Sequence, residues 1–294
     1  MSGFAHWPAP YRCAVVVTID YHDVHGILTQ TPAVAGREKT LSVWRYGTTR
    51  GVDRLLALLA RKQVCASWCL PAIVAEENRD LFARIVAGGH EIACSGYRHQ
   101  DFDAITLAEQ VASLQQGCDA LETLSGTRPV GFRLPAGQWK PGFVEAMAQA
   151  GIRWSSSWRG DDLPYFHQEA PLVELPLHYE LEDDPYFAFN LSPAVPPGQS
   201  RIASYAHTLE NMKLDFSGFY RFGGCYVLRL HPEIIGTAGR IGLLDALLDF
   251  ICGHDNVWLA TAGEVAAWWQ TQPANAPEHP AAIYHQHVNT QVPS

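Results

Sequence analysis

No long apolar run and no block of basic residues interrupts this 294-residue chain. A bilayer-spanning helix needs about 20 consecutive apolar residues, so none is expected and no membrane partner is foreseen. Lys and Arg total 21 against 30 Asp and Glu, a formal charge of −9. Without clustered cations, nucleic acid is not an expected partner. The opening MSGFAHWPAPYR shows no charged segment followed by an apolar core. A secretory signal is therefore not expected, and the expected location is the cytoplasm. The seven cysteines (Cys13, Cys65, Cys69, Cys94, Cys118, Cys225 and Cys252) are odd in number and scattered through apolar segments. That distribution fits reduced thiols better than a disulfide framework, and no second pair joins Cys65 and Cys69 at zinc-site spacing.

What is present reads as a folded α/β domain. Charged residues make up only 17% and aromatics 11%, a composition unlike that of disordered chains. Residues 12–20 form a continuous apolar run of strand length, as expected for a strand covered on both faces. Further strand-like runs fall at 64–70, 90–95, 130–134, 152–156, 172–176, 225–231 and 256–260. Between them lie helical periods. Val52, Leu55, Leu56 and Leu59 share one face. Leu81, Phe82, Ile85 and Val86 precede the stop signal Gly88-Gly89. Thr106 and Glu109 form a capping box ahead of Leu107, Val111, Leu114, Cys118 and Leu121. Helices are also expected near 240–252 and over the segment GEVAAWWQ.

About seven to eight parallel strands with intervening helices predict a distorted (β/α) barrel in a single domain over residues 1–270. The segment 178–222 shows no clear period and is expected to be a long loop or an insertion. Residues 271–294, with four prolines and no periodicity, are expected to form an extended tail in which His285 and His287 are solvated.

The chain contains 13 histidines, and their placement matters more than their number. Active sites of α/β barrels lie where the strands end. Here those ends carry Asp20-Tyr21-His22-Asp23, Ser95-Gly96-Tyr97-Arg98-His99, Arg133 and His231. Acidic, imidazole and guanidinium side chains are thus expected at one rim. Tyr21, Trp44, Tyr46, Tyr97, Trp139 and Trp158 would give its mouth an apolar lining. His90, inside a strand, is expected to pack structurally, and Trp258, Trp268 and Trp269 to serve a core or a subunit interface. His25 is weighted toward structure. Asp161-Asp162 either line the pocket or cap a turn.

Six ordered stretches carry a resemblance. They are TID at 18–20, RYGTTRGVDRLL at 45–56, AGGHEIACSGYRHQD at 87–101, GTRPVGFRLP at 126–135, SSSWRGDDLPY at 155–165 and LHPEIIGTAGR at 230–240. Over about residues 11–270 the chain resembles the polysaccharide deacetylase (NodB-homology) superfamily. Its nearest likeness is to the cytoplasmic branch with peptidoglycan-deacetylase-like proteins, cyclic imide hydrolases and metal-independent allantoinases. The resemblance implies a NodB-type barrel and hydrolysis of a non-peptide carbon–nitrogen bond. It implies Asp20 as the base that deprotonates water, Arg133 as the residue that orients it, and His231 as the acid that protonates the leaving nitrogen. It further implies a homo-oligomer, with a tetramer as the expected form.

The resemblance also implies a metal site, and here the residues depart from the pattern. His22 stands where the family has an aspartate, and the H-x-x-x-H pair reads Ser95 and His99. Two mechanisms follow: a rearranged site holding one divalent, zinc-like metal on His22 and His99, or a metal-independent hydrolase with fixed donors polarising the electrophile. Ser95, Tyr97, Trp139 and Trp158 are the candidate substrate contacts. Three functions remain open: hydrolysis of a small cytoplasmic amide, cyclic imide or ureide; N-deacetylation of peptidoglycan or another polysaccharide; and ligand binding without catalysis.

Overall fold

The computed structural model describes residues 6–188 and 202–272. Among the described residues nine strands build one sheet: β1 (Cys13–Asp20), β2 (Ser67–Leu70), β3 (Glu91–Cys94), β4 (Gly131–Phe132), β5 (Trp154–Ser155), β6 (Tyr165–Phe166), β7 (Val173–Glu174), β8 (Cys225–Leu230) and β9 (Val257–Ala260). Their order is β6-β7-β5-β4-β3-β2-β1-β8, with β9 joining β1. Eight run parallel, and the short β6 alone is antiparallel, against β7. This is the expected distorted barrel, a curled and mostly parallel sheet with helices packed around it.

β1 holds the centre because all eight of its residues are buried. Its first half pairs with β9, its last residues with β2, and most of its length with β8. Such a strand needs apolar side chains on both faces, which is why CAVVVTI reads as an unbroken run. Helices such as Val52–Lys62 and Arg240–Cys252 cover the sheet through Leu55, Leu59, Leu244, Leu247 and Leu248.

The segment 178–222 departs from expectation. Residues Tyr205–Phe222 form an 18-residue helix capped by Ser204, burying Met212 and Phe216. Before it, residues 179–183 run beside the end of β8 through a Glu182–Arg229 bridge and the Asp183 N–H bond to the Arg229 carbonyl. Residues 189–201 and most of the expected tail, 273–294, lie outside the described residues.

The stretch RYGTTRG packs against the turn after β1 and the segment after β8. Thr48 donates to Asp23 at 2.6 Å, and the Tyr21 and Thr48 hydroxyls lie 2.8 Å apart, tying the turn after β1 in place. Asp23 has φ of 48°, a left-handed conformation costly for a non-glycine residue and held here by that bond. Gly51 lies against the segment that follows β8; a Cβ there would come within 2.0 Å of the Pro232 carbonyl oxygen. Overlap with backbone cannot be relieved by a rotamer change. Gly51→Ala is therefore expected to destabilise the fold by about 1–3 kcal/mol. In urea unfolding, its midpoint should fall while the slope stays that of the wild type.

Candidate active site

Parallel strands deliver Asp20, Ser95, Arg133 and His231 to the same end of the sheet. Asp20 terminates β1 with its side chain completely buried. A carboxylate there must be paired. Arg229 Nε donates to its Oδ2 at 2.7 Å, and Arg133 Nη1 lies 3.3 Å from Oδ1. Arg133 also donates to Thr18 at 3.0 Å, while Arg229 reaches Glu182 at 3.1 Å. Burial opposes the Asp20 charge, but the two guanidiniums, joined by the His231 imidazolium, outweigh it and hold the carboxyl well below the usual range.

His22 and His99 sit together with ring centroids 4.4 Å apart. Both are nearly buried, at 8% and 3% exposure. Burial is the main cause that lowers both pKa values: His22, which also feels His99, falls well below the ordinary imidazole range, and His99 falls to about 4. The two rings are neutral at pH 7. His22 Nε2, His99 Nδ1, Asp20 Oδ1 and the Ser95 hydroxyl are buried without hydrogen-bond partners. Four such atoms around one rim mark where a bound molecule would complete the bonding. His99 also lines a cavity of about 330 Å³ with His25, Thr29, Arg98 and Gln100 among its walls.

His231 is built oppositely. Its Nδ1 lies 2.7 Å from Asp183 Oδ1, and its backbone N–H donates to the other oxygen at 2.8 Å. Burial would strip the proton, but Asp183 overcomes it and raises the imidazole to about 10. His231 is therefore a cation near neutrality, its ring 6.2 Å from that of His22. An imidazolium beside neutral imidazoles is the kind of contrast that separates an acid from proton acceptors.

The structure thus brings Asp20, His22, Ser95, His99, Arg133 and His231 to one rim. Trp139 and Trp158 stack on each other, centroids 4.7 Å apart, in the sector above β4 and β5. Buried Glu174 braces this pair by accepting the Trp158 N–H at 2.8 Å and bonding His167 at 3.0 Å. Tyr97 turns its hydroxyl to Glu76 at 3.0 Å, a structural use that differs from the expected substrate contact. His25 pairs with Glu77, and His90 accepts the Ala66 N–H. Three partners escape the sequence reading: Arg229, Glu182 and Asp183. Arg229 had a signal, a charged residue inside an otherwise apolar strand; the two acids lay in the segment read as a loop.

The comparisons now bear on this geometry. A family model described as polysaccharide deacetylase matches residues 39–155. A solved structure from Mycobacterium smegmatis, assigned as a polysaccharide deacetylase, is 30% identical with a TM-score of 0.85, covering 93% of this chain and 94% of that one. The chain belongs to the polysaccharide deacetylase family. A peptidoglycan deacetylase of Helicobacter pylori is 23% identical to this family member over 74% of this chain and 82% of its own. The structure of PuuE allantoinase, 22% identical with a TM-score of 0.78, covers 93% of this chain and 95% of its own and shares the fold. This deacetylase-family chain is accordingly a hydrolase of carbon–nitrogen bonds other than peptide bonds. No helix among its described residues is long and apolar enough to cross a membrane.

The family implies a divalent metal, generally held by three protein ligands. Among the described residues, no group of three His, Cys, Asp or Glu side chains is arranged to hold one. His22 and His99 offer two nitrogens, Ser95 supplies only a hydroxyl, and Asp20 is engaged by two guanidiniums. The residues present do not complete that site.

The His231–Asp183 pair makes a prediction about pH. Removing the anion in Asp183→Asn leaves burial as the dominant influence and disfavours the imidazolium. An NMR titration should find the His231 pKa falling from about 10 to its ordinary 6.5 or below. In the wild type, stability from the raised pKa is fully present below pH 6.5 and is lost as pH rises through about 10. A variant that still titrates near the wild-type value would show that Asp183 is not the cause.

Proposed function

We propose that this chain hydrolyses a carbon–nitrogen bond in a small cytoplasmic amide, cyclic imide or ureide. The observation that supports this reading is the burial of the whole constellation: Asp20, His22, Ser95, His99 and Arg133 are all under 9% exposed. A compact molecule reaches such a recess more readily than a polysaccharide chain does.

Each side chain has a role in this reading. Asp20 Oδ1 accepts from the attacking water and takes its proton, with Arg133 and Arg229 fixing the carboxylate. Its low proton affinity makes it a weak reservoir, so the proton passes back to His231 once that imidazole has protonated the nitrogen, restoring both groups. His22 and His99, being neutral, accept or donate to the substrate through their unpartnered nitrogens. His231, protonated and oriented by Asp183, gives its proton to the departing nitrogen as the bond breaks. The stacked Trp139 and Trp158 offer a flat apolar surface to a ring. No metal is required in this scheme, since charge and proton movement are assigned to groups of the chain.

A second reading, N-deacetylation of an acetylated amino sugar, is favoured by the name of the H. pylori relative. A screen of succinimide, hydantoin, allantoin and chito-oligosaccharides separates the two. Turnover of the compact rings is expected, unchanged by a chelator; hydrolysis of the oligosaccharides alone would favour the second reading, and inertness toward all would favour ligand binding without catalysis. On any accepted substrate, Asp20→Asn should lower kcat by about 10²–10⁴. An unaltered kcat in that variant would remove Asp20 from the reaction.

A further inference from the structure

Beside the catalytic rim lies a second cavity, of about 310 Å³, that the hydrolytic scheme does not use. Its walls come from the helix Glu38–Tyr46, the short helix Asp184–Phe187 and the segment after His231. Trp44, Tyr46, Phe187 and Ile234 make it apolar; Glu233, Thr237 and Arg240 place polar groups inside.

Arg240 is the unusual member. Its residue is only 9% exposed, yet the described residues offer it no ion-pair partner. Nη1 donates to the Ile234 carbonyl at 3.2 Å, and the guanidinium lies 4.8 Å from the Phe187 ring centre and 5.8 Å from that of Tyr205. Aromatic faces offset part of a buried charge but leave its N–H edge unused. Nε is buried and unpartnered, as are the Thr237 hydroxyl and Glu233 Oε2. Buried charges are normally paired, so this one calls for an anion. Asp184, which also lines the cavity, stands exposed at its mouth.

We infer that this cavity binds a small carboxylate with a compact apolar or aromatic body. The carboxylate accepts from Arg240 Nε and from Thr237, and the body lies among Trp44, Tyr46 and Phe187. Glu233 tunes the site. Burial raises its carboxyl to about 7, with Asp183 and Asp184 acting in the same direction, His231 opposing, and Tyr21 and Arg240 nearby. In its protonated form it is a third donor to the ligand; once ionised it repels the ligand. Affinity therefore falls as pH rises through about 7. The inference does not depend on the hydrolytic reading, because binding is measured without turnover.

The test is calorimetric titration of the full chain with benzoate, with benzamide as its uncharged counterpart. Benzoate is expected to bind saturably and at least about tenfold more tightly than benzamide, the difference a charged hydrogen bond makes. Arg240→Gln should remove that preference. Should this variant fail to fold by circular dichroism, Thr237→Val, which deletes one donor, should weaken benzoate several-fold. Glu233→Gln should make the affinity flat between pH 6 and 8. Asp20→Asn should leave benzoate binding unchanged, which separates this cavity from the catalytic rim. Equal binding of the two probes, no binding, or benzoate affinity lost in Asp20→Asn but kept in Thr237→Val would overturn the inference.

Discussion

A fully buried carboxylate, gripped by two guanidiniums from different parts of the sheet, is the constraint on which the rim depends. Asp20 ends β1, Arg133 follows β4, and Arg229 lies in β8. Breaking either contact would strand a charge inside the sheet, a loss of about 3–5 kcal/mol in comparable buried pairs. The arrangement fixes the ends of three strands relative to one another. Arg229 then passes the order outward to Glu182, bringing Asp183 beside His231. A single electrostatic cluster thus sets the geometry and also decides which groups carry protons.

The same burial leaves chemically identical rings in opposite charge states. His22 and His99 have lost water and gained no anion close enough to compensate, so they are neutral. His231 has lost water too, but a carboxylate bonds both its ring and its backbone. The contrast arises from which backbone segment runs beside β8, not from the histidines. Gly51 belongs to the same construction, because its missing side chain lets Pro232 pack close and sets where His231 emerges.

Much of this was legible in the sequence because parallel strands are apolar throughout and end in polar residues. The run at 12–20, the capping box at Thr106–Glu109 and the strand-end residues Asp20, Ser95, Arg133 and His231 all follow that logic. The segment 178–222 was harder to read. Leu209, Met212, Phe216 and Phe219 do recur at helical spacing, yet exposed Tyr205, Leu214 and Phe222 blur the stripe. Asp183 could not be found by spacing at all. Its role exists only because 179–183 pairs with β8, a contact between residues 46 or more positions apart. Tyr97 shows the converse: it lies at a strand end, and its hydroxyl bonds Glu76, a partner that spacing alone does not reveal.

The departures from the family's metal ligands make physical sense when the charges are considered together. Around Asp20 the carboxylates are those of Asp20, Glu182 and Asp183; facing them are Arg133, Arg229 and the His231 imidazolium. Each negative charge is matched by a positive one. A divalent cation would add two charges that these three pairs do not balance, at a depth where uncompensated charge is expensive. An aspartate at position 22 would have supplied part of that balance, whereas the imidazole of His22 supplies none. With histidine at 22 and serine at 95, the electrostatic burden shifts to the guanidiniums.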